Sequence, residues 1–166
     1  MRNLIRRWLT AAPSVNGTHQ LINSTTLNDD VLGRCTRRNA DDTTFKASIR
    51  LDSAGAVPVT FFADEPLDDT LAYVRAIISA LPANDARYRR YAAADVRQFQ
   101  IALRNGNVPT PVTEFASRMR LSHIDVYFPT PEEGATLWYT CDDLIPNALI
   151  CVTLDQNRRF VCGGIG

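Results

Sequence analysis

Lysine is almost missing from this chain: Lys46 is the only one, and arginine supplies the other 17 of its 18 basic side chains. Histidine is scarce, with only His19 and His123. Close cysteine pairs are missing too, because Cys35, Cys141, Cys151 and Cys162 form no Cys-x-x-Cys. A structural zinc site uses four Cys or His ligands, usually in closely spaced pairs, so no metal is expected. No glycine-rich phosphate loop leads into a helical pattern, so no nucleotide or other cofactor is expected either. No apolar run reaches the about 18 residues of a membrane-spanning helix. The net charge is zero, which removes the chief sequence argument for nucleic-acid binding. Arg6-Arg7 is followed by Thr10-Ala11-Ala12-Pro13 rather than an apolar core, unlike a secretory signal. The expected setting is cytoplasmic, with reduced and largely buried thiols.

What is present suits a single globular domain. The 166 residues are 45% hydrophobic and 22% charged, enough apolar material for a substantial core. Met1 to Leu9 reads as a short basic amphipathic helix. Residues 13–29, rich in Asn, Thr and Ser, read as a polar linker. The division is therefore 1–29 as helix and linker, and 30–166 as one α+β domain that should survive removal of residues 1–28.

Within 30–166, Val31 to Thr36 is a short candidate strand. Phe45, Ala47, Ile49 and Leu51 alternate with polar residues, the period of a half-buried strand. Val57, Val59 and Phe61 alternate again. Pro58 lacks a ladder donor, so that strand should lie at an edge or begin after the proline. Leu67, Leu71, Val74, Ile78 and Leu81 then recur at helical spacing. Pro82 should end that helix, and Asn84 should cap a second one. The second has Tyr88, Ala92, Val96, Phe99 and Leu103 on its inner stripe and stops at Asn105-Gly106. Thr110-Pro111 opens a short third helix bearing Val112, Phe115 and Met119. After it, Ile124–Phe128, Leu137–Cys141, Ala148–Leu154 and Arg159–Cys162 read as strands joined by short turns, with Ala148–Leu154 central. The expected fold is α+β: an antiparallel, strongly bent sheet of about six or seven strands, with two long helices and one short helix inserted mid-chain.

Three blocks carry a family likeness. They are Asp85–Asp95, with its run Arg87-Tyr88-Arg89-Arg90-Tyr91; Thr110–Phe115 with Arg120–Tyr127; and Leu137–Leu144 with Leu149–Val152 and the final Gly163–Gly166. In that order they resemble a bacterial family catalogued as domain of unknown function 2262, over roughly residues 30–166. That resemblance implies no reaction, substrate or cofactor.

Charge is segregated along the chain. Arg87, Arg89, Arg90, Arg97 and Arg104 gather on the second helix. Asp125, Glu132, Glu133, Asp142 and Asp143 fall in a stretch with no Lys or Arg between 121 and 157. Trp138 and Tyr139 are neighbours on one strand and must face opposite ways. One can fill the core while the other anchors a contact, a frequent role for these residues. The expected function is a non-catalytic bacterial protein-interaction domain. Its specific form would be an immunity protein that binds a cognate toxin with a basic surface through Asp125, Glu132, Glu133, Trp138, Tyr139, Asp142 and Asp143. The alternative is a small enzyme built on His123 and Cys141, a base–nucleophile pair of the kind that activates a thiol.

Overall fold

A computed structural model describes residues 18–23, 25–51, 55–63, 67–103, 110–127 and 132–166, with 98–103 described as backbone only. The expected N-terminal helix and the Asn105-Gly106 stop lie outside these residues. The strands are β1 (His19–Asn23), β2 (Thr26–Asp29), β3 (Gly33–Thr36), β4 (Thr44–Leu51) and β5 (Gly55–Phe62), then β6 (Arg120–Val126), β7 (Ala135–Thr140), β8 (Leu149–Leu154) and β9 (Phe160–Ile165). Between β5 and β6 lie α1 (Leu67–Leu103) and α2 (Val112–Arg118). The strands form one sheet in sequence order, β1 to β9. Every neighbouring pair is antiparallel except β5–β6, which is parallel. A parallel neighbour cannot be reached by a tight turn, and both helices occupy the crossover.

This corrects the expected architecture in three places. The sheet has nine strands and is mixed, not antiparallel with six or seven. The two extra strands, β1 and β2, come from the stretch read as linker. Their polar Asn and Thr residues hide one deeply placed anchor, Leu27, which is fully buried beside the buried Thr26. Among the described residues there is also one long helix, not two. α1 runs unbroken through Pro82, which removes an N–H and ordinarily costs about 3 kcal/mol inside a helix. The chain accepts this because apolar faces on both sides of the proline are buried: Leu71, Val74, Ile78 and Leu81 before it, Tyr88, Ala92 and Val96 after it. Asn84 is no cap; its side-chain amide donates to the Ala80 carbonyl at 2.8 Å, inside the helix.

Pro58 lies within β5 and not before it. β6 pairs with β5 only from Val59 onward, so at Pro58 that side of the strand is still an open edge, where a missing donor does no harm. β8 is the penultimate strand of the sheet, not a central one, and its exposure alternates.

One core joins the sheet to the helices, with Val57, Val59, Phe61, Ile124, Leu137, Ile150 and Val152 packed against Leu71, Val74, Ile77, Phe115 and Met119. α1 runs closest to β8 and β9. The Tyr88 hydroxyl donates to the Arg158 carbonyl at 2.7 Å, and the Tyr73 hydroxyl to the Asp155 carbonyl at 3.1 Å. Gly163 N–H donates to Asp95 Oδ2 at 2.9 Å. A Cβ on Gly163 would lie 2.8 Å from the Ala92 Cα, so only glycine lets helix and strand approach this closely. At the other end of the sheet, Arg75 Nε donates to Asp29 Oδ2 at 2.9 Å and its NH2 group at 2.5 Å, both side chains being buried. Asp29 Oδ1 accepts the N–H groups of Val31 and Leu32, which closes the turn between β2 and β3.

Candidate functional site

The face of β5–β7 turned away from the core takes its shape from a bulge. Leu121 pairs with Tyr139, but His123 pairs with Trp138, so Ser122 is the extra residue. Without it Leu121 and His123 would share a face; with it Leu121 packs against the core and His123 turns outward. There the His123 ring stacks on the Trp138 indole, centroids 5.5 Å apart and planes 14° from parallel. Trp138 Nε1 donates to Asp125 Oδ2 at 2.8 Å. The same oxygen lies 3.9 Å from His123 Nε2. One strand pair along, Phe62 stacks on Tyr127 at 5.6 Å. Burial pushes the Tyr127 hydroxyl pKa up, and the nearby carboxylates of Asp125 and Glu133 push it further. Four rings in two stacks thus surround Asp125.

The expected partner-binding residues are not brought together as one patch. Trp138 and Asp125 meet on the outward face. Tyr139 is fully buried, and its hydroxyl donates to Asp85 Oδ1 at 2.8 Å inside the fold; it belongs to the core because alternation turns it opposite to Trp138. Glu132 and Glu133 are exposed just before β7, while Asp142 and Asp143 are exposed just after it. The whole of β7, six residues and about 20 Å long, lies between the two acidic pairs. Asp143 also accepts from Arg118 at 2.9 Å, and Arg118 bonds Glu114 in turn, so part of the expected acidity is neutralised locally.

The residues of the enzymatic alternative are separated. Cys141 follows β7 on the core side and is buried; His123 faces outward. Burial pushes the Cys141 thiol up to about 11, with help from the Asp143 carboxylate, the opposite of what a nucleophilic thiolate needs. Cys35 is pushed up to about 12, first by burial and then by Asp29. Cys162 is exposed, contrary to the expectation of buried thiols. Among the described residues no group of three His, Cys, Asp or Glu could hold a metal ion, and no helix is long and apolar enough to cross a membrane.

Sequence reasoning missed a cleft of about 570 Å³ where β4, α1 and β6 meet. Leu51, Leu81, Pro82, Ala86, Met119 and Leu121 make its apolar lining. Arg50, Arg89, Arg120 and Asp85 supply its charges. Asp85 Oδ2 accepts from Arg89 Nε at 2.9 Å, and Arg89 NH1 donates to the Ala116 carbonyl at 3.0 Å. Arg120 NH1 donates to the carbonyls of Ser117 and Met119. The arginine cluster of the second helical stripe was a partial signal, since Arg89 belongs to it. Its partners, though, come from two strands far away in sequence.

The sequence matches no protein-family model, and the comparisons with curated proteins and with solved structures found no match.

Proposed function

We propose that this protein is a non-catalytic bacterial interaction domain, and in its specific form an immunity protein that neutralises a cognate toxin in the cytoplasm. The proposed kinship with the family catalogued as domain of unknown function 2262 goes with that reading. The observation that supports it most is the outward platform of His123, Trp138, Phe62 and Tyr127 around Asp125. Aromatic faces attract guanidinium and ammonium groups. A carboxylate placed among them adds charge complementarity. The partner chemistry that fits is a basic protein surface presenting an arginine or lysine to the Trp138 ring. Glu132 and Glu133, at the near end of β7, would speed encounter more than they tighten the complex, because exposed charges are screened.

The reading is tested by co-expressing the chain with the product of the adjacent reading frame and measuring association of the purified pair. Trp138→Ala should weaken binding by about tenfold or more, the scale of an aromatic hot spot. Glu132→Gln with Glu133→Gln should slow association and flatten its salt dependence while leaving dissociation alone. No complex with that product, or a complex indifferent to Trp138→Ala, overturns the proposal.

A further inference from the structure

We propose that the cleft beside Pro82 is a binding site for a small amphipathic carboxylate, an apolar body with one anionic head. The site is separate from the aromatic platform, and only β6 serves both, with Arg120 and Leu121 here and His123 and Asp125 there. Its size carries the first part of the argument. About 570 Å³ falls within the roughly 300–1,000 Å³ of small-molecule sites. Its position follows from the sequence: a proline inside a helix clashes with the preceding turn, and Pro82 forms part of the wall, opposite the end of β4 and the start of β6.

Its chemistry carries the second part. Leu51, Leu81, Met119 and Leu121 give an apolar surface that would cover a hydrocarbon or aromatic body. Of the charged groups, Asp85 is fully engaged, accepting from Tyr139 on one oxygen and from Arg89 on the other. Arg50 and Arg120 have no carboxylate partner among the described residues. The two carbonyls held by Arg120 use its NH1 group, so the rest of its guanidinium fork remains for a ligand. A guanidinium fork matches a carboxylate with two parallel hydrogen bonds. Two arginines without a carboxylate at salt-bridge distance among the described residues, lining one cleft with leucine and methionine, select for an anion with an apolar body over either feature alone.

The probe is 1-anilinonaphthalene-8-sulfonate, an aromatic anion that brightens when desolvated, titrated into the full chain and then displaced by decanoate or by decanol. The expected result is saturable binding at one site per chain, displaced by decanoate and not by decanol at equal concentration. Arg50→Gln with Arg120→Gln should weaken the probe about tenfold or more; both residues are exposed, and far-ultraviolet circular dichroism checks that the fold survives loss of the Arg120 bonds to the Ser117 and Met119 carbonyls. Ala86→Trp, which fills the cleft without changing charge, should abolish the signal. Equal displacement by decanol, or binding indifferent to both variants, overturns the proposal, as does the absence of saturable binding.

Discussion

α1 holds the two ends of the sheet by different chemistry. At the N-terminal end the contact is ionic: Arg75 on α1 meets Asp29 at the end of β2, both buried, and Asp29 also closes the β2–β3 turn. At the C-terminal end the attachment is spread over several groups: two tyrosine hydroxyls on backbone carbonyls, the Gly163 N–H on Asp95 Oδ2, and Gly163 lying against Ala92. The ionic attachment concentrates its stability in one residue pair. Breaking a buried pair strands a charge away from water, whereas losing one neutral hydrogen bond leaves its neighbours in place. The first end should therefore fail abruptly and the second gradually.

The largest effect tests whether the N-terminal end belongs to the domain. Removal of residues 1–28 takes away β1 and most of β2, including the fully buried Leu27. This should lower stability by more than the about 2–5 kcal/mol of a single buried leucine. It runs against the expectation, drawn from composition, that the domain tolerates this cut. Thermal melting decides it, and an unchanged midpoint would return these strands to the status of a tail.

Next comes Arg75→Ala, expected to cost about 3–5 kcal/mol in chemical denaturation because Asp29 is left buried and uncompensated. Thiol labelling at pH 8 sharpens the same contrast. Cys35 pairs with Leu27 in the β2–β3 hairpin, and with its pKa pushed up to about 12 it stays protonated at pH 8. It should react only through opening of the hairpin, while the exposed Cys162 reacts at once. In Arg75→Ala the slow phase should accelerate by tenfold or more, the factor that each about 1.4 kcal/mol of easier opening brings.

At the other end Tyr88→Phe should cost about 1 kcal/mol, the worth of one hydrogen bond. A loss as large as that of Arg75→Ala would erase the proposed difference. The smallest effect is Arg118→Ala. Its pairs with Glu114 and Asp143 are exposed, and their loss should leave the denaturation midpoint unchanged within the scatter of repeat measurements.

Local periodicity was legible where burial is one-sided. The alternation at Phe45–Leu51 became β4, Val57–Phe61 became the middle of β5, and Thr110-Pro111 did lead into the short helix α2. The opposed directions of Trp138 and Tyr139 followed from the strand period alone. What stayed hidden depended on partners far off in sequence. β1 and β2 carry too few apolar residues to announce themselves; they form because β3 pairs with β2 and Arg75 meets Asp29. Pro82 obeyed tertiary burial over its local preference. The parallel β5–β6 pairing leaves no trace in any window, because it is a choice of neighbour. Of the residues that meet on the outward face, Asp125 and Trp138 stand out in the sequence, but the Ser122 bulge that sets His123 beside them does not. The cleft draws Arg50, Arg89 and Arg120 from three elements, which no spacing rule connects.

The crossover between β5 and β6 also dictates an order of events during synthesis. β1 to β5 form a run of hairpins complete in itself, available as soon as it leaves the ribosome. Domains are made N-terminus first, at roughly 5–20 residues per second. For the seconds before α1 emerges, Asp29 has no cation and the apolar inner face of β4 and β5 has no cover. β5 meanwhile offers a free edge at Val59–Phe61, the segment later claimed by β6. The nascent chain thus passes through an interval in which half a sheet is built, sticky on one face and open along one edge. A holdase acting on this chain would act then, and the synthesis of α1 would end its task.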